Sequence, residues 1–204
     1  MKQLDFFYFF GSGYSYLSVM RIGNVAREAG VTVRWRPFNV RTVMGENNIA
    51  LRTQHAKVRY MWRDIQRRAA RHGVPFTGPP RWPTDPDLLA NRVGMVAAEG
   101  GWCEDYTLAS FRAWYLDGVE LGSRQHLDAV LPPLGRDVDA TIALADGPAA
   151  HERLVQETDA ARDHGIFGAP AFVVDNETFW GDDRLEEAFA WAAGDHSLQV
   201  QPQT

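Results

Sequence analysis

Two short segments far apart in the chain constrain its fold more than anything else. In the first, the nearly continuous apolar run Leu4 to Phe10 breaks at Gly11-Ser12-Gly13. Ser18, Ile22, Val25 and Ala29 then recur at helical spacing up to Gly30, a C-terminal cap. In the second, about 155 residues later, Gly165-Ile166-Phe167-Gly168-Ala169-Pro170 leads straight into the apolar run Ala171 to Val174. A strand that is apolar throughout is buried on both faces, so the first run marks the centre of a layered α/β sheet. Pro170 cannot donate to a sheet ladder and belongs at the first position of its strand or at an edge. A cis bond at that place leaves the preceding residue's N–H and C=O open to an extended ligand.

Between and around these segments the periodicities give the rest. Val31, Val33 and Trp35 alternate with polar residues and stop at Pro37, so the chain opens strand, helix, strand, with the two strands parallel neighbours. Helical spacing predicts helices around Val58 to Ala69, Leu89 to Val96, Leu108 to Tyr115, Leu127 to Leu131, and from about His151 to His164. The rigid loop Gly78-Pro79-Pro80-Arg81-Trp82-Pro83 separates the first two. Asp175-Asn176 is a tight turn joining Ala171–Val174 to Glu177–Trp180, and Leu185, Ala188, Phe189 and Ala192 mark a closing helix. The expected class is α/β, a βαβ…αββα core formed by residues 1–39 and 146–195. Residues 40–145 are an all-helical insertion, and residues 196–204 a loose tail.

Ser12 stands at the carboxyl end of a central strand, where open α/β sheets place their ligands. The following helix start offers oriented N–H groups and a partial positive charge, which favour an anion such as a thiolate. Ser12 adds a hydroxyl donor, and its flanking glycines let a ligand approach the backbone. The plain role for such a serine is an N-cap. It is not a hydrolase nucleophile, because Gly11-Ser12-Gly13 lacks the Gly-x-Ser-x-Gly elbow. Cys103 is the one cysteine, so neither a disulfide nor a Cys-x-x-Cys pair can form within the chain, and a structural thiol is expected. Any reactive sulfur must therefore arrive on a ligand. With 21 basic against 26 acidic residues the net charge is -5, which argues against a nucleic-acid partner. Arg59, Arg63, Arg67, Arg68 and Arg71 read as a solvated helix face. No signal peptide or membrane-spanning run is seen, so a cytoplasmic protein without a membrane partner is expected, and no metal centre.

Asp5-Phe6-Phe7-Tyr8-Phe9-Phe10 with Ser12-Gly13-Tyr14-Ser15-Tyr16-Leu17 resembles the opening of the 2-hydroxychromene-2-carboxylate isomerase family. That family stands with the kappa-class glutathione transferases in the DsbA-like branch of the thioredoxin superfamily. The segment from Gly165 to Val174, with Phe179-Trp180-Gly181-Asp182-Asp183-Arg184-Leu185, is similar to its closing motif. Gly45-Glu46-Asn47-Asn48 and Ala56-Lys57-Val58-Arg59-Tyr60 resemble its Asn loop and Lys helix. The likeness spans about residues 3 to 193. It implies a thioredoxin-like fold, glutathione as cofactor, a small aromatic-derived substrate and a homodimer. Ser12 matches the serine that contacts the glutathione sulfur. Ala169, before Pro170, would pair its backbone with the cysteinyl part. Asp183, with Asp182, would hold the γ-glutamyl ammonium, and Lys57 a carboxylate. Asn47 or Asn48 would reach the reacting centre, and Asn48 is taken here. Trp82 either walls an aromatic substrate or packs into the core. One departure is plain: the family has Ser-Pro where this chain has Ser12-Gly13, and glycine lacks proline's preorganisation at a first helical position.

The implied reaction is isomerisation of an unsaturated oxo-acid from aromatic ring cleavage, through reversible thiolate addition. Two other readings fit the same residues. A kappa-like transferase would consume glutathione, and a non-catalytic module would only bind thiols or extended peptides at the Pro170 edge.

Overall fold

The computed structural model describes residues 2–45 and 54–199. Strand β1 (Gln3–Tyr8) runs into helix α1 (Gly13–Ala29), and β2 (Thr32–Pro37) follows after Gly30, whose φ of 63° closes the helix in the left-handed region. Then come α2 (Val40–Met44), α3 (His55–His72), α4 (Leu89–Glu99), α5 (Cys103–Tyr115), α6 (Arg124–Val130), α7 (Val138–Asp146) and α8 (Pro148–Asp163). The chain closes with β3 (Ala171–Val174), β4 (Glu177–Trp180) and α9 (Leu185–Ala193). Asp175 and Asn176 both take positive φ, 48° and 70°, which gives the hairpin the twist its strands require.

The sheet has the order β2-β1-β3-β4. β1 pairs parallel with β2 (Phe6 opposite Trp35) and antiparallel with β3 (Phe7 opposite Ala171). A strand with neighbours on both sides and helices on both faces is mostly apolar, and alternate side chains of β1 feed two cores. Leu4, Phe6, Tyr8 and Phe10 join the main cluster with α1, α3, α5 and α9, whereas Phe7 and Phe9 pack on the other face with Ala161, Ile166 and Val173. The main cluster runs unbroken from Leu4 through Ile65, Tyr106 and Tyr115 to Leu185. The helical insertion thus shares its core with the sheet.

Several expectations are extended or corrected. α2 and α7 were not foreseen, and the helix placed from about His151 begins at Pro148, a first-turn proline. Arg68 does not belong to a solvated face: it turns inward to the buried carboxylate of Asp182, with Nε 2.8 Å from Oδ2. Cys103 is buried, its Sγ 3.3 Å from the Tyr8 hydroxyl, and burial pushes the thiol up to about 11. Among the described residues no helix is long and apolar enough to cross a membrane.

Candidate functional site

The pairing of β1 with β3 brings the two distant segments together. Ser12 has an extended backbone (φ −103°, ψ 122°), and its oxygen accepts from Ser15 N–H at 3.1 Å, capping α1. The same hydroxyl donates to the carbonyl of Ala169 at 3.3 Å, across 157 residues of sequence. The cap and the cross-site contact coexist on one side chain. No acidic residue stands in the first turn of α1, so the positive end of the helix dipole is uncompensated by its own side chains. The Ala169–Pro170 bond is cis, and the Pro170 carbonyl accepts from Gly181 N–H at 2.9 Å.

A cavity of about 870 Å³ opens over this contact. Ser12, Gly13, Lys57, Trp82 and Ala169 all line it, so four of the residues singled out in the sequence share one space with the departure at Gly13. Lys57 is exposed on the first turn of α3. Trp82 lines the cavity and packs against the core. Its Nε1 donates to the carbonyl of Gly11 at 3.1 Å, and its ring stands edge-on to Trp62 at 6.1 Å. Tyr14, also on the wall, donates to Asp64 at 3.1 Å; burial first and the Asp64 charge second hold its hydroxyl well above the usual phenol range.

Asp182 and Asp183 are not among the cavity-lining residues. Asp182 is buried and paired with Arg68 and, at 3.7 Å, with Arg21. Burial lifts its carboxyl to about 6 against the pull of both guanidinium groups. Asp183 is exposed on the adjacent turn, 3.3 Å from Arg184. Asn48, with Asn47, lies outside the described residues.

Other wall residues went unremarked in the sequence. Phe167 and Trp180 are both exposed, line the cavity rim, and hold their rings 4.7 Å apart. Arg41 donates to the carbonyls of Thr84, Asp85 and Pro86, tying α2 to the proline-rich loop. Arg81 and Glu120 meet at the wall with 2.6 Å between them. Position beside Trp82 could have flagged Arg81, but nothing local could pair it with Glu120. Among the described residues no group of three or more His, Cys, Asp or Glu could hold a metal ion.

Known proteins resemble this arrangement. A 2-hydroxychromene-2-carboxylate isomerase of Sphingobium xenophagum is 27% identical over 188 residues, covering 91% of this chain and 95% of that one. The enzyme of the same name from Pseudomonas putida is 27% identical over 185 residues, covering 89% and 90%. A solved 2-hydroxychromene-2-carboxylate isomerase superposes with a TM-score of 0.80 at 27% identity over 90% of each chain. The family model of the DSBA-like thioredoxin domain matches residues 3–189, nearly the whole length. With its parallel β1–β2 pair, closing hairpin and helical insertion, the chain belongs to the DSBA-like thioredoxin domain family.

Proposed function

We propose that the protein is a glutathione-dependent isomerase acting on an unsaturated oxo-acid derived from aromatic ring cleavage. The observation that carries this reading is the Ser12 hydroxyl at the head of α1, 3.3 Å from the Ala169 carbonyl, in a cavity whose protein offers no accessible thiol. The similarity to 2-hydroxychromene-2-carboxylate isomerases over about nine-tenths of the chain supports the reaction class.

The residues fit a γ-glutamyl tripeptide. Ser12 and the first-turn N–H groups suit its sulfur, the exposed Lys57 a carboxylate, and the exposed Asp183 the ammonium. Asp182, already paired with Arg21 and Arg68, instead fixes the turn that presents Asp183. Glutathione, when bound, supplies a nucleophilic sulfur that can add to a conjugated double bond and leave again unconsumed.

The chain's own groups then act as follows. Ser12 has a single hydroxyl proton, now directed at Ala169. Turning it toward a bound sulfur stabilises the anion and at once releases the Ala169 carbonyl to accept an amide N–H of the ligand. Trp82 walls the space beside Gly11 and restricts water at the reacting centre. Asn48 is assigned to the developing enolate, where a positioned amide donor is worth most.

Calorimetry with glutathione, on the wild type and Ser12→Ala, tests the reading. The wild type should bind. Ser12→Ala should still bind, but with the thiol titrating about one unit higher, the worth of one charge-assisted hydrogen bond. Turnover of an aromatic-derived oxo-acid should leave glutathione unconsumed and fall about 10²-fold in the variant. No glutathione binding by the wild type would sink the proposal.

A further inference from the structure

Among the described residues, the cavity wall carries two guanidinium groups with opposite situations. Arg41 is committed to the carbonyls of Thr84, Asp85 and Pro86 and sits over the Phe9 ring at 5.0 Å, so it serves as a strut of the loop. Arg81 has its main chain fixed and its head loose. Its carbonyl accepts from Trp114 Nε1 at 3.3 Å, and the next residue, Trp82, is fastened to Gly11 beside Ser12. Its side chain is 74% exposed and, among the described residues, has one ion-pair partner, Glu120, itself 39% exposed. Both line the same cavity as Ser12 and Lys57.

An exposed ion pair contributes little, since water and salt compete with each partner and two long side chains must be held still. A guanidinium nevertheless matches a carboxylate in a planar, two-point fashion that an ammonium cannot copy. Arg81 therefore combines a weak internal partner with an anchored backbone and the donor geometry that recognises a ligand carboxylate. Glu120 is the competitor that such a ligand must displace, and it keeps the guanidinium aimed across the wall in the meantime.

We propose that Arg81 is the receptor for the carboxylate of the second, thiol-accepting ligand, an unsaturated or aromatic acid, and that Glu120 is a displaceable latch on it. The inference rests on the isomerase reading and assigns the substrate half of that site. It is a recognition role, distinct from the tripeptide contacts given to Lys57 and Asp183.

Cinnamate and its uncharged counterpart cinnamamide are the probes, titrated calorimetrically into the wild type, Arg81→Met and Glu120→Gln, with and without saturating glutathione. The wild type should bind cinnamate at least tenfold more tightly than cinnamamide. Arg81→Met should abolish that preference while leaving cinnamamide binding within about twofold, the sign that the cavity is intact. Glu120→Gln should widen the preference about threefold by removing the competing carboxylate. Glutathione affinity should be unchanged in Arg81→Met. A preference that is missing in the wild type, or that survives in Arg81→Met, overturns the inference. A loss of glutathione affinity in Arg81→Met with the cinnamate preference intact also overturns it, because Arg81 then serves the tripeptide. Failure of the wild type to bind glutathione sinks the isomerase reading, and the cinnamate comparison still decides the role of Arg81.

Discussion

The Tyr115 hydroxyl lies 2.9 Å from the point where a side chain on Gly13 would begin. Cδ1 of Ile65 is nearer still, at 2.5 Å. The space beside the first helical residue is occupied from across the core by Ile65 of α3 and Tyr115 of α5. Gly13 is not needed for an unusual backbone angle. It suits the site because two neighbours pack closely against it.

Gly13→Ala should therefore lower stability by about 1 kcal/mol, the low end of overpacking, because the methyl must push back Ile65 and a Tyr115 ring stacked at 3.8 Å on Tyr16. Ile65→Val removes the closest atom. Denaturant unfolding of both single variants and the double should show a favourable coupling, with the double less destabilised than the sum. Strict additivity would show that the close approach has no energetic consequence.

Neighbouring aspartates should behave in opposite ways. Asp182→Asn leaves Arg21 and Arg68 without their buried counter-charge, and about 3 kcal/mol of stability should go, or roughly 6–12 °C in Tm for a chain this long. Asp183→Asn, at an exposed position, should stay within about 0.5 kcal/mol of the wild type in stability. If it holds the γ-glutamyl ammonium, its glutathione affinity should fall about tenfold, as for loss of a charge-assisted hydrogen bond. Thermal scans and calorimetry on the pair separate the two effects.

His126 on α6 is fully buried, and among the described residues neither ring nitrogen has a hydrogen-bond partner of normal geometry, the Ser110 backbone offering only a weak one. Burial pushes the imidazole down to about 4. The unfolded chain thus takes up this proton first, so the stability tied to neutral His126 is present above about pH 6.5 and is lost as pH falls from there toward 4. Asp85 and Asp182, raised to about 6 chiefly by burial, act in the opposite sense over part of that window. The informative quantity is the difference between wild type and His126→Leu. Urea unfolding from pH 7.5 to 4.5 should show the variant gaining on the wild type as the solution is acidified; parallel curves would contradict the assignment.

Cys103 should be inert in the native protein. With the thiol buried against Tyr8 and raised to about 11, iodoacetamide at pH 8 should leave it unmodified by mass spectrometry until denaturant is added. Cys103→Ala should keep its turnover. Rapid native alkylation with loss of activity would mean that the protein supplies its own sulfur after all.

What the sequence revealed and what it hid divide along physical lines. β1, α1 and the β3–β4 hairpin were legible because a nearly continuous apolar run, a glycine cap and an Asp-Asn turn are local signals, each answering to the backbone within a few residues. Ser12 and Ala169 were legible because a hydroxyl at a helix start and an Ala-Pro before a strand are local too. The Asp182–Arg68 and Arg81–Glu120 pairs were hidden, since a charge 114 or 39 residues away leaves no trace in a helical wheel. Helical periodicity placed Arg68 on a basic stripe. Only the approach of the turn after β4 shows that one member of that stripe faces inward.

The contact between Ser12 and Ala169 also fixes when the site can exist. Its two halves are made 157 residues apart. The central strand that leads to Ser12 gains its antiparallel neighbour only when Ala171 and Phe172 are in place, after the whole helical insertion has been made. Joining ends so distant is the slow part of assembling such a chain, because a large loop must close before the pairing repays it. Any ligand that needs both residues must wait for that docking, and the onset of its binding during refolding would time the arrival of β3 on β1.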